Sequence, residues 1–253
     1  MNKVKKVIEK EQIIKSKFRV QNHGEVFTPK AIVNQMLDID EVNKACNNLE
    51  STFLEPAAGE GAFLKEIINR KLKMVTEKYN ESLIMYENYS LLALSTIYGV
   101  ELLEDNTQTC SLNIFQIYYE FYSKIANQYN EKLKKKVLDS AKLIISANIA
   151  QGDFLTQKSP NGKPIVFSEW KWINPGKTKI KVIRTEFTLY DIANNIEKEN
   201  GEIVTDLKKD NEQIDIFELL ETEEEVQVDI SEYRYTAVDI ADAYREEIEI
   251  YVR

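Results

Sequence analysis

Histidine is all but missing from this chain: His23 is the single one in 253 residues, which excludes mechanisms that need two, most zinc hydrolases and paired-imidazole dyads among them. Cysteine is scarce as well. Cys46 and Cys110 lie far apart with no CxxC or Cys/His spacing, so neither a metal site nor a disulfide framework is expected, and both read as ordinary core thiols. No apolar run reaches the roughly eighteen residues a membrane span needs. The opening MNKVKKVIEKEQ is charged without an apolar stretch, so a cytoplasmic location and no membrane partner are the expectation. Internal repeats and low-complexity linkers are not evident.

What is present is a 43% hydrophobic composition, enough for one sizeable core or a core with a small appendage. The net charge of −9 conceals an asymmetry: residues 1–185 carry 27 Lys+Arg against 21 Asp+Glu, and residues 186–253 carry 6 against 21. A mildly basic body suits a polyanionic partner. The acidic end is either a solvated face or a segment that competes for the same surface.

Periodicity divides the chain into a helical arm over 1–22, a body over 23–195 and an acidic extension over 196–253. Thr28-Pro29 reads as a helix start with Thr28 as cap, followed by Ile32, Val33, Met36 and Leu37 facing a core. Phe53-Leu54 is a short strand, and residues 62–75 a helix with Phe63, Leu64, Ile67 and Ile68 inward. A strand over 95–100, a helix from near Asp105, a lysine-rich helix over 129–145 and a strand end at NIAQGDFL follow. PIVF then forms a further strand, KIKVIRTEFTL a half-exposed antiparallel strand, VQVDI a strand, and YTAVDIADAYREEIEIYV a final helix. The alternation of strand and helix predicts an α/β fold with a mostly parallel sheet.

In such sheets ligands bind beyond the carboxyl ends of the strands, where glycines let a ligand approach the backbone. FLEPAAGEGAFL, residues 53–64, occupies that place. It has neither the Lys-Ser/Thr of a phosphate-binding loop nor a third glycine of a dinucleotide fingerprint, and Glu55 before the turn favours a ligand with a cationic part. Glu101 at the next strand end is placed to accept ribose hydroxyl protons, and Asp153-Phe154 at the third to meet an exocyclic amine and a purine face. Together they describe a pocket for S-adenosylmethionine.

In order, HGEVFTP (23–29), FLEPAAGEGAFL (53–64), IYGVELLEDN (97–106) and NIAQGDFL (148–155) resemble the motifs of adenine-specific DNA N6-methyltransferases of restriction-modification systems, in the gamma arrangement. The resemblance covers about residues 20–170. It implies a Rossmann-like S-adenosylmethionine-dependent methyltransferase fold. It implies that Phe27, Thr28 and Pro29 line the methionine end, that Glu55, Pro56, Ala57, Gly59 and Gly61 form the loop, that Glu101 and Leu102 hold the ribose, and that Asp153 and Phe154 hold the adenine. DNA is the implied partner.

The family's (Asn/Asp/Ser)-Pro-Pro-(Tyr/Phe) signature is missing. At its distance stand Ser168, Glu169 and Trp170, which supply an acceptor, a carboxylate and a stacking ring for an extruded base. Two readings stay open: a variant catalytic loop, or a methyltransferase-like accessory or inhibitory protein that binds cofactor without transferring methyl. About eighty largely acidic residues follow Trp172, which leaves little to read DNA sequence: either a partner subunit supplies recognition, or the chain is a shortened relative of the mobile-element or phage kind, or its substrate is not duplex DNA.

Overall fold

The computed structural model describes residues 28–175, 179–204 and 232–251. The expected arm over 1–22, Phe27 and the VQVDI strand lie outside them. Pro29 fixes φ at −59° immediately before helix α1 (Lys30–Leu37), so Pro29 rather than Thr28 holds the capping position, and no side chain caps the helix. Val33 and Leu37, four residues apart, are buried, whereas Ile32 and Met36 face outward. A single 3.6-residue stripe accounts for the difference: the pair one residue earlier is rotated about 100° away from the core.

Helix α2 (Asp40–Cys46) leads into strand β1 (Phe53–Glu55), and a turn then opens helix α3 (Ala62–Lys78). Leu64, Ile67, Ile68, Leu72 and Val75 of α3 are buried in the expected i, i+3/i+4 pattern. Helix α4 (Leu83–Leu94) precedes strand β2 (Ile97–Glu101), helix α5 (Glu104–Gln128), helix α6 (Lys135–Asn148) and strand β3 (Ile149–Gln151). The three strands form a parallel sheet in the order β1-β2-β3. Its partners are α3, α5 and α6, and close packing is visible at Gly99, where an added Cβ would lie 2.9 Å from Leu64 Cδ1.

The chain changes character after β3. Strands β4 (Val166–Pro175) and β5 (Ile180–Thr188) pair antiparallel along their length, and β7 (Val238–Asp239) adds to β5. Helix α7 (Leu189–Ala193) follows β5, opened by a capping box between Thr188 and Asp191. Strands β6 (Glu232–Tyr235) and β8 (Ile248–Tyr251) form a separate antiparallel pair. The fold is therefore mixed α/β, and its parallel part is confined to three of the eight strands described. The short link between β4 and β5 dictates this, because a parallel pair needs a crossover of a dozen or more residues.

The β4–β5 hairpin lies across one face of the parallel sheet. Phe167 meets Tyr98 edge to face at 5.6 Å, and Ile165, Phe167 and Leu189 share a small apolar cluster with Val100. The expected C-terminal helix is instead β7, a 3-10 turn (Ile240–Arg245) and β8. Ile240 and Ala243 are buried in the main core, and Ser140 Oγ in α6 donates to Ala241 O at 3.0 Å. Ile248 and Ile250 recur at period two, which is strand spacing.

Candidate nucleoside-binding site

Beyond the carboxyl ends of the parallel strands, three turns are tied into one hydrogen-bonded unit. Gly59 (φ +54°) and Gly61 (φ +83°) stand in the left-handed region that other residues enter at a cost, which is what the β1–α3 turn requires. Gly59 N–H donates to Glu101 Oε2 at 2.8 Å, Ala58 N–H to Val100 O at 2.9 Å, and Gly152 N–H to Glu101 O at 2.9 Å. The ends of β1, β2 and β3 thus meet at Glu101.

Glu101 is buried, with its other oxygen accepting from Leu103 N–H at 3.0 Å and Asn106 Nδ2 at 3.3 Å. A carboxylate offers about four acceptor positions, and these bonds use three. The residue expected to hold a ribose therefore also fixes the glycine turn. The sequence reading missed Asn106 and Asn113, whose Nδ2 holds Glu60 O at 2.9 Å and so ties the turn to α5. Their signal is faint: Asn106 follows Glu101 by five residues, within reach of the start of α5.

Glu55 is half-buried, and Ala57 N–H donates to its Oε1 at 3.4 Å. Burial pushes its carboxyl above the ordinary carboxylate range, although the Ala57 bond works the other way. Pro56 and Ala57 are exposed on the turn. A Cβ on Gly59 meets nothing within 4 Å, so that side of the turn faces open space, whereas one on Gly61 would strike Cys110 Sγ at 2.8 Å. Burial raises the Cys110 thiol to about 12, which leaves it protonated and inert beneath the turn.

At the end of β3, Asp153 Oδ1 accepts from Leu155 N–H at 2.8 Å and Thr156 N–H at 3.4 Å, an Asx turn in which both bonds use the one oxygen. Leu102, Phe154 and Leu155 are exposed apolar residues at the same two strand ends, Leu155 at 91%. Thr28 lies apart from these, on a cleft of about 370 Å³ against Ala62 and Lys65 at the start of α3. The arrangement offers acceptors, apolar surface and an approachable backbone. These are the means of binding a nucleoside.

Ser168, Glu169 and Trp170 are elsewhere. Ser168 N–H donates to Asn148 Oδ1 at 3.2 Å, Asn148 Nδ2 donates to Ser95 O at 3.3 Å, and Tyr98 OH donates to Ser168 O at 3.1 Å. Asn148 immediately precedes β3 and Ser95 precedes β2, so Ser168 is held at the entry end of the sheet, opposite Gly59 and Glu101. Ser168 is 1% and Trp170 5% exposed, with Arg184 Nε donating to Ser168 Oγ at 2.8 Å and the guanidinium stacked over the indole at 5.6 Å. Glu169 is exposed and borders a second groove with Phe53, Tyr98 and Phe187.

Among the described residues no group of three His, Cys, Asp or Glu side chains is placed to hold a metal, and no helix is long and apolar enough to cross a membrane. No family model, no curated protein and no solved structure matches this chain.

Proposed function

We propose that the chain binds S-adenosylmethionine across the ends of β1, β2 and β3 and belongs to the methyl-transferring class its motifs resemble, with adenine N6 of DNA as the acceptor. The observation that carries this reading is the convergence of three successive strand ends on one carboxylate, Gly59 N–H to Glu101 Oε2 at 2.8 Å and Gly152 N–H to Glu101 O at 2.9 Å. On this reading a Rossmann-like methyltransferase sheet begins at β1. Glu55 faces the ligand's cationic end, Glu101 keeps one acceptor position for a ribose hydroxyl, Asp153 Oδ2 accepts from the adenine amine, and Leu102 and Phe154 flank the ring. The sulfonium supplies an activated methyl group; this chain's residues orient it and exclude water.

A second reading, a methyltransferase-like accessory protein that binds cofactor without methyl transfer, is favoured by one observation. Ser168 and Trp170 are buried at the entry end of the sheet, so neither is presented to a base near Gly59. Calorimetric titration with S-adenosylmethionine and S-adenosylhomocysteine, on wild type and Gly59→Trp, tests the shared core of both readings, because Gly59 opens onto unfilled space. Heat from wild type but not the variant is expected; equal heats overturn it. Methyl-label transfer to DNA oligonucleotides, alone and with a candidate partner subunit, then separates enzyme from accessory protein.

A further inference from the structure

The parallel sheet is left open along β1, which is one of its two edges in the order β1-β2-β3. Phe53 N–H donates into the ladder, to Thr96 O at 2.9 Å, and successive residues of a strand address opposite neighbours, so Leu54 turns its N–H and C=O away from β2. Neither group has a hydrogen-bond partner among the described residues. The Leu54 side chain repeats the opening. It shares a sheet face with Tyr98, its register partner, and with Val100 two residues on, where Ile165, Phe167 and Leu189 cover the sheet. At Leu54 the cover stops and the side chain is 40% exposed, although parallel sheets are ordinarily covered on both faces.

A groove of about 340 Å³ occupies the gap. Thr52, Phe53 and Leu54 form its sheet side, and Phe187, Ile192 and Ile196, from β5 and the segment that follows it, continue the lining. Ile192 and Ile196 are exposed, so the groove is apolar out to its rim. Glu169 stands exposed on the border, and its charge adds to burial in holding the Tyr98 hydroxyl protonated.

We propose that the β1 edge and this groove bind an extended segment of another protein, added to the sheet as a further strand, with an apolar residue facing the groove and a basic residue beside it on the same strand face. Leu54 supplies one backbone donor and one acceptor for such a strand, the groove takes the apolar side chain, and Glu169 favours the cation. A second copy of this chain fits less well, because β1 paired with itself would bring two Glu169-bearing rims together, a like-charge contact. The inference is independent of the nucleoside reading, since the groove touches none of Gly59, Glu101 and Asp153.

The probe is a fluorescein-labelled peptide of sequence TKTFTKT, in which phenylalanine and the two lysines share one strand face and either strand direction presents the same pattern. Anisotropy titrations compare it with the same peptide methylated on its backbone amides and with TETFTET. Both controls are expected to bind wild type about tenfold or more weakly. Leu54→Pro removes the outward N–H without touching the ladder to β2, as proline on an edge strand does, and should weaken TKTFTKT about tenfold. Ile196→Lys, at an exposed position outside the sheets, should weaken it similarly, and Glu169→Lys about fivefold at about 50 mM salt. Thermal unfolding of each variant identifies those that stay folded. No binding by wild type, equal binding of the methylated peptide, or unchanged affinity in the folded variants overturns the proposal. So does sedimentation of wild type as a dimer that the peptide does not dissociate, which gives the groove to a second copy.

Discussion

Lys71 shows how far burial alone can move a charge. It is fully buried in α3, where Nζ donates to Asn48 O and Ser51 O, both at 2.8 Å, on the segment that enters β1. Two carbonyls accept two of its three ammonium protons without neutralising its charge, and desolvation lowers its pKa to about 8. The sign follows from proton counting. Between about pH 8 and 10.5 the unfolded chain binds the proton that the folded chain releases, so stability rises with pH across that window, by roughly 3 kcal/mol. Urea unfolding at intervals from pH 7.5 to 10.5 should show this rise in wild type and a flatter profile in Lys71→Met; equal slopes would remove Lys71 as its source. Glu101 poses the complementary case, a carboxylate with three donors already in place. Glu101→Gln should both weaken nucleoside binding and lower the unfolding midpoint, because the amide nitrogen replaces one acceptor oxygen among those donors and costs about 1–3 kcal/mol. Weakened binding at unchanged stability would contradict its part in fixing the turn.

At the level of elements, the strand-to-helix turns were readable and the packing after β3 was not. β1, α3, β2, α5 and β5 fall close to their expected places, since each combines a strong apolar period with a clear start or stop signal such as Gly61. Helix α4 escaped because it is apolar nearly all round, with Leu83, Met85, Tyr86 and Leu91 to Leu94 all buried, and so offers no face to detect. Ser168 and Trp170 read from the sequence as part of a variant catalytic loop because nothing local reveals that Arg184, sixteen residues after Ser168, closes over them. Their placement predicts structural effects. Trp170→Ala should cost about 3–5 kcal/mol in unfolding free energy, as removal of a buried aromatic does, with nucleoside affinity near wild type in the folded fraction. Chemical denaturation and calorimetry on the same preparation check this. A stable variant that has lost binding would return Trp170 to the site.

In the whole molecule acidity is concentrated late in the chain, with 21 Asp+Glu against 6 Lys+Arg over residues 186–253. Residues 232–251 belong to the body: β7 pairs with β5, Ile240 is buried in the main core, and Lys136 in α6 pairs with Asp242 at 3.0 Å. Excising everything after residue 201 would therefore expose the core and confuse folding with electrostatics. Charge is better tested in place. Residues 205–231 hold ten acidic residues against two lysines, four of the acids at Glu221, Glu223, Glu224 and Glu225. If this segment competes with a polyanion for the basic body, changing those four to glutamine should raise affinity for a DNA oligonucleotide about tenfold at 50 mM salt and leave it unchanged near 0.5 M, where charges beyond a few ångströms are screened. A solvated acidic face that touches nothing predicts a much smaller, distance-weakened gain. Fluorescence anisotropy titrations at the two salt concentrations decide between them, and equal affinity of wild type and variant at low salt rules the competition out.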